Sequence, residues 1–473
     1  LCGGVLSEKM HSSELLSPVF TRIKRAFESS LPSRRLSPTF FRRSVAAHHT
    51  TAMNESILDK CLNDYRLILG KKELLPIVLG GMGVNISTKE LALEVARCGG
   101  IGHISDAMMP DVSDRLLGTH FTAAKAKLCK VFAGLAPKPD MHFDLESIRR
   151  ATKGYVEDVM SAKKGDGLVF INVMEKLTMN DPLGSLKARL NAALDAGIDG
   201  ISLSAGLHTS SFGLMAENPR FRDAKLGIVV SSVRALNIFL RRTAKTERLP
   251  DFVVVEGPLA GGHLGFGFDW ANFKLSDIVR DVKQYLAEKG LSIPLIAGGG
   301  VFTGTDGVRL MEEGADAVQV ATRFTIARES GIPDDVKQRY FNAEKDEIVV
   351  NGISPTGYPM RMLSCSPAIN ANTKPQCEAY GYMLDHGECQ YLKAFREAVA
   401  EHPEVKQPAV AGKTCLCVQM RNYKLWTCGA SAWRLKETSV KLPDGTWYQP
   451  PAEHIFRDYL TSRRDEILLP VPA

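Results

Sequence analysis

The residues best suited to chemistry lie in one short run, Glu256-Gly257-Pro258-Leu259-Ala260-Gly261-Gly262-His263-Leu264-Gly265. Its small residues let the backbone approach a flat ligand, and one imidazole then projects beside it. Imidazole titrates near neutral pH, so His263 is the natural general base or acid. Two further glycine-rich turns follow. One is Gly298-Gly299-Gly300, with Gly304 opening a helical stretch; the other is Ala321-Thr322-Arg323-Phe324. Free N–H groups at such turns and at a helix N-terminus, with the Thr322 hydroxyl and the Arg323 charge, suit a phosphate dianion. Upstream, Gly80-Gly81-Met82-Gly83 permits another close backbone approach. Asn172 offers a donor and an acceptor to the polar edge of a ring. Ser204-Ala205-Gly206, followed by His208, is a turn of the same small-residue character. Each run alone also reads as an ordinary tight turn.

These runs are spaced by a repeat of apolar strands and helical stretches. Eight strand-like runs occur: Ile77–Leu79, Gly102–Ile104, Leu168–Val173, Gly200–Leu203, Gly227–Val230, Phe252–Val255, Ile293–Ala297 and Ala317–Val320. Between them lie helical patterns such as Lys89–Arg97, Leu186–Ala196, Val233–Arg242, Leu275–Glu288 and Asp306–Glu313. Fully apolar runs alternating with helices imply a parallel sheet buried on both faces. Eight such units predict an α/β fold, a (β/α)8 TIM barrel, whose chemistry collects on the loops after each strand. Every run singled out above stands on such a loop. No GxGxxG follows the first strand, which argues against an open doubly wound dinucleotide-binding sheet. Residues 105–167 exceed one helix and predict an insertion after strand two with two or more helices. Ser87 and Glu90 have capping-box spacing, so Ser87 is expected to cap the first helix.

The 473 residues carry a net charge of +6 and include ten cysteines. Much of the positive excess lies near the N-terminus, so it argues little for nucleic acid. No apolar run of about 18 residues predicts a membrane-spanning helix. The cysteines are scattered, and Cys415-Leu416-Cys417 is not a paired CxxC, so buried thiols are expected rather than a metal site or a disulfide framework. Residues 1–52 are rich in Ser and Arg and poor in acids. They read either as an untranslated or disordered extension ahead of Met53, with a cytoplasmic protein, or as a transit peptide to the mitochondrial matrix.

Taken together, GGMGV (80–84), AGGHLGF (260–266), AGGG (297–300) with Gly304, QVATRF (319–324) and SPTGYPMR (354–361) resemble the nitronate monooxygenase (2-nitropropane dioxygenase-like) family, over about Pro76 to Arg361. That family also includes FMN-dependent enoyl-acyl-carrier-protein reductases and NAD(P)H:quinone reductases. The resemblance implies a barrel at 53–330 that binds FMN, and a smaller C-terminal region at 331–473 over its mouth. It implies that Gly81 and Met82 lie against the flavin, Asn172 contacts its polar edge, and Ala260 and Gly261 border the ring. Gly299, Gly300 and Thr322 would hold the phosphate, within turns that also contain Gly298 and Ala321. His263 matches the family's catalytic histidine. Ala321 and Met360-Arg361-Met362 depart from the family's usual Gly and Gly-Arg-Ala, and the second change lies in a loop that shapes the substrate pocket. The implied reaction is oxidation of a nitronate, or of a nitroalkane, by dioxygen. The alternative is NAD(P)H-dependent reduction of an enoyl thioester or a quinone. A third reading is a barrel that binds a phosphorylated ligand without redox chemistry. The absence of a cysteine in the loop after strand six disfavours an IMP dehydrogenase-like reading.

Overall fold

The computed structural model describes residues 57–123, 144–175, 181–376, 389–405 and 407–472. The expectations for residues 1–52 lie outside these. Eight parallel strands close into a barrel in chain order: β1 (Ile77–Leu79), β2 (Ile101–Ser105), β3 (Leu168–Met174), β4 (Gly200–Ser204), β5 (Lys225–Val230), β6 (Phe252–Glu256), β7 (Leu295–Gly298) and β8 (Ala317–Val320). β8 pairs with β1, so no edge is left unpaired. Alternate side chains of a strand point to opposite faces, and the two sets separate cleanly here. Val78, Ile101, Phe170, Phe252, Val254, Ile296 and Ala317 pack inside the barrel. Their neighbours pack outward against the helices. Phe170 and Phe252 stack at 5.3 Å and fill the interior. Gly200 and Gly227 are required beside them, since a Cβ at either would lie within 2.5 Å of a phenyl ring. A hairpin, Leu67–Leu69 with Lys72–Leu74, contributes Leu67, Leu69 and Leu74 to the same cluster.

Period two carries the inward series to the other end of the barrel. Two residues beyond Val78, Ile101, Phe170, Val254, Ile296 and Ala317 stand Gly80, His103, Asn172, Glu256, Gly298 and Gln319. Apolar packing thus gives way to small and polar groups at the C-terminal ends of the strands.

Around the barrel run α1 (Lys89–Arg97), α2 (Met109–Leu117), α3 (Leu145–Ser161), α4 (Pro182–Asp195), α5 (Val233–Thr243), α6 (Leu275–Glu288) and α7 (Gly304–Glu312). The insertion after strand two holds α2 and α3, which pack on each other, and α3 packs on α4. The cap of α1 differs from expectation. Thr88 is its N-cap, accepting from Leu91 N at 3.1 Å. Ser87 instead braces the glycine turn: its Oγ donates to Gly80 O at 3.0 Å and accepts from Met82 N at 2.9 Å.

After β8 the chain leaves the barrel and builds α8 (Asp334–Phe341), β9 (Ile348–Asn351), β10 (Met360–Leu363) and α9 (Gln390–Glu401). It then returns as α10 (Ala452–Thr461), which packs against α1, α7 and β1. That is the position of the eighth barrel helix. β9 and β10 form an antiparallel hairpin, and β10 pairs on its other side with Gly262–His263. The C-terminal region is thereby stitched to the loop after β6. Among the described residues, no helix is long and apolar enough to cross a membrane.

Candidate functional site

His263 is an edge-strand residue, held opposite Met360 while Gly262 stands opposite Arg361. Leu264 N donates to Pro359 O at 2.9 Å and extends the pairing. The exposed ring lies with Nε2 2.7 Å from Ser354 Oγ. Ser354 is buried; its Oγ lies 2.7 Å from Thr356 Oγ1 and accepts from Thr356 N at 3.3 Å. Lys413 Nζ donates to the carbonyls of Gly352 and Ser354 at 2.8 and 3.1 Å, fixing the turn that carries this serine. The other two histidines of the barrel mouth are engaged differently. His103 Nδ1 donates to Leu79 O and its Nε2 accepts from Ser202 Oγ. His208 Nε2 donates to Ser204 O and its Nδ1 accepts from Ser211 Oγ. Burial pushes both down to about 4, so both are neutral at pH 7 and serve as fixed hydrogen-bonding groups.

A buried arginine sets the shape of the histidine loop. Arg361 Nη1 donates to Pro258 O at 2.8 Å and to Ala260 O at 2.6 Å, and its guanidinium lies 4.5 Å from the Trp270 ring centroid. Burial lowers its pKa from the usual value, and the two carbonyls and the aromatic face stabilise the cation. In the sequence Arg361 stands at the end of SPTGYPMR and within the departing Met360-Arg361-Met362, with no buried role assigned to it. A charged residue two places into an otherwise apolar strand was the signal for its buried role.

The other predicted residues meet around this loop. Gly299 and Gly300 adopt φ of +99° and +98°. A Cβ on Gly299 would lie 2.9 Å from Gly257 O and 3.1 Å from Ala260 N, and one on Gly300 would press on Leu259. Gly80 N donates to Val320 O at 2.8 Å, and a Cβ on Gly80 would sit 3.0 Å from that of Ala321. Gly81 lies against Asn172, whose Cβ would be 2.3 Å from one on Gly81. Met82, held through its amide by Ser87, is partly buried beside them. Gly261 abuts the backbone of Cys428 and Gly429. Gly429 N donates to Thr322 Oγ1 at 3.2 Å, and Ala430 N to Leu259 O at 3.1 Å. A C-terminal segment thus closes the seam between the turns after β6 and β8.

Two expectations for the anion site are corrected. The start of α7 is spent on itself: Asp306 accepts from Phe302 N and Thr303 N, and Asp306 N donates to Thr303 Oγ1. Arg323 is buried in an ion pair with Asp458 on α10 and lies under the Tyr459 ring, so its charge is already matched. The remaining donors are backbone amides. Those of Gly299, Gly300 and Thr322 make no hydrogen bond among the described residues. This set suits a single anionic group at the turns after β7 and β8.

Two polar residues appear in the sequence only as members of longer runs, with no role assigned to either, because each lies near the end of an otherwise apolar strand. Glu256 and Gln319 stand in register on either side of Gly298, with no side chain between them. Burial pushes the Glu256 carboxyl up to about 7, with no hydrogen bond or charge among the described residues offsetting it. With Asn172 they give the mouth a polar floor. Burial pushes Cys415 up to about 11 and Cys428 up to about 12, so both stay thiols at neutral pH.

Comparison with known proteins agrees with this architecture. The family model for nitronate monooxygenase matches residues 68–415. A (3aS,4S,5R,7aS)-5-hydroxy-7a-methyl-1-oxo-octahydro-1H-indene-4-carboxyl-CoA dehydrogenase of Mycobacterium tuberculosis is 33% identical over 193 residues, which are 40% of this chain and 50% of that protein. A probable nitronate monooxygenase of Staphylococcus saprophyticus is 24% identical over 292 residues, 60% of this chain and 74% of that one. A nitronate monooxygenase of Neurospora crassa is 24% identical over 270 residues, 55% of this chain and 62% of its own length. The chain thus spans between half and three quarters of these relatives. Among solved structures, the enoyl reductase domain of MlnA from Bacillus amyloliquefaciens superposes with a TM-score of 0.50 at 11% identity, over 81% of this chain and 93% of that one, and shares the fold. With its model matched across the barrel and most of the C-terminal region, this oxidoreductase chain belongs to the nitronate monooxygenase family.

Proposed function

We propose that the protein is an FMN-dependent nitronate monooxygenase that oxidises alkyl nitronates with dioxygen. One observation carries this reading: the histidine loop, the turns after β7 and β8 and the Gly80–Met82 turn form one continuous wall around the barrel mouth. FMN fits the donors present. The unspent amides of Gly299, Gly300 and Thr322 suit its phosphate. The backbone of Gly81 and Met82, with Ala260 and Gly261, suits a planar ring. Asn172, Glu256 and Gln319 offer polar contacts on the floor. When bound, FMN supplies the electron acceptor for the substrate and the route of electrons to dioxygen.

His263 accepts the α-proton of a neutral nitroalkane, or lies against the nitro oxygens of a substrate that is already anionic. The bond to buried Ser354 fixes the rotation of its ring, so the ring is oriented before substrate arrives. The strand pairing to Met360 fixes its backbone. A placed base contributes about 10²–10⁴-fold. His263→Asn is therefore expected to lower turnover of a neutral nitroalkane by about that factor while sparing the preformed nitronate far more. Steady-state kinetics on both forms, with flavin content checked by absorbance, reads the difference. Equal loss on both with flavin retained would remove His263 from the base role.

A second reading, NAD(P)H-dependent reduction of an enoyl thioester or quinone, draws support from the relative named for a CoA thioester substrate. In it His263 binds or polarises the acceptor carbonyl. Anaerobic rapid mixing separates the two: bleaching of the flavin by nitronate supports the monooxygenase, and bleaching by NADH or NADPH supports the reductase.

A further inference from the structure

Every exposed Phe, Tyr or Trp among the described residues is one of three, namely Phe268 (66% exposed), Phe273 (43%) and Tyr358 (44%). All three stand on the two segments that carry His263 and Ser354. Phe268 and Phe273 follow His263 on the loop after β6, and Tyr358 lies in the β9–β10 turn four residues beyond Ser354. The Phe268 ring leans on that same turn, where a Cβ on Gly352 would be 3.2 Å from its Cζ. Phe273 rests against Phe266 with ring centroids 5.0 Å apart, and Phe266 packs on the core, so the rim is anchored. Leu259 on the turn after β6 and Leu207 on the turn after β4 are also exposed. Large apolar side chains grouped at the edge of a polar-floored mouth mark a place where apolar surface is covered by a ligand.

We infer that the substrate carries an extended apolar body, a medium-length alkyl chain or a fused ring. This body lies along Phe268, Phe273 and Tyr358 while its polar reacting end sits at His263. The inference rests on the reading that puts the reacting atom at His263. The occupant is a substrate rather than another macromolecule because the rim is continuous with the catalytic loop and shares its strand pairing with β10. Each methylene laid against the rim is worth about a fourfold gain in affinity where it is fully buried.

The test uses the full chain loaded with FMN and titrated by calorimetry with straight-chain carboxylates from acetate to decanoate. Carboxylates share the planar anionic head of a nitronate and undergo no turnover. The expected result is a Kd that falls about two- to fourfold per methylene beyond the first few carbons. The slope should flatten in Phe268→Ala and, independently, in Tyr358→Ser, each variant being compared with its own shortest ligand. A flat slope in the unaltered protein overturns the inference. So does self-association that Phe268→Ala abolishes when no chain-length dependence is present, since the rim would then be a contact between copies. A steep carboxylate slope in a protein that oxidises no nitronate supports the rim and discards the monooxygenase reading. Turnover of nitronates with equal kcat/KM from two to ten carbons discards the rim and keeps that reading.

Discussion

At the scale of single residues, the mouth separates groups that are fixed from one that can change. His103 and His208 are held neutral by burial, which outweighs the carbonyl acceptors at their ring N–H groups, so they orient without titrating near pH 7. Glu256 is different, because its carboxyl is raised to about 7 by burial alone. An acid whose folded pKa lies above its unfolded value binds more protons in the native state. The favourable contribution of Glu256 is therefore fully present below about pH 4 and is lost as pH rises toward 7. Glu256→Gln keeps the shape and the polar edge but removes the proton. Thermal melts of the flavin-free protein between pH 4 and pH 8 should show a smaller fall in stability with rising pH in that variant. A pH dependence identical to that of the unaltered protein would show that Glu256 ionises freely in the fold.

At the scale of elements, glycines in the turn after β7 answer two demands at once. Gly299 needs a left-handed backbone, and its α-carbon must clear the carbonyl of Gly257 and the amide of Ala260. Gly299→Ala is expected to cost about 1–3 kcal/mol in backbone strain. The added methyl also pushes the β7 turn away from the histidine loop. FMN affinity should fall more than the melting temperature, which fluorescence titration and a parallel melt would separate. Unchanged FMN affinity would take this turn out of the cofactor site. The elements themselves were legible because buried parallel strands and capped helices leave local signatures. β1 and β8, and the helices α1 and α6, fall at the bounds read from the sequence. Partnerships across the chain left no such mark. Ser87 looked like a cap because its spacing to Glu90 fits one, yet Thr88 takes that role and Ser87 turns to Gly80. The His263–Ser354 bond joins residues on different loops and could not be read from either alone.

At the scale of the whole molecule, the eighth barrel helix is the element that sequence order hides. After β8 the chain first builds α8, β9, β10 and α9, with β10 paired to the loop after β6, and only then does α10 complete the outer layer between α1 and α7. The segment after β8 and the returning α10 are joined by the buried Arg323–Asp458 pair, both side chains 1% exposed. Asp458 also accepts from Leu468 N at 2.8 Å, tying down the last turn of the chain. Arg323 looked in sequence like a phosphate ligand, since it follows Thr322 directly, but its charge belongs to this joint. Removing one partner of a buried ion pair leaves the other charge uncompensated and costs about 3–5 kcal/mol. Asp458→Asn should therefore lower the stability of the protein by about that amount, read from denaturant unfolding. Because Arg323 adjoins Thr322, the same variant should also loosen FMN binding. Replacing both partners, Arg323→Met with Asp458→Leu, should recover much of the lost stability, since no charge is then stranded. If the single variant unfolds no more easily than the unaltered protein, the pair is not the joint, and packing of Phe456 and Tyr459 alone holds α10 against the barrel.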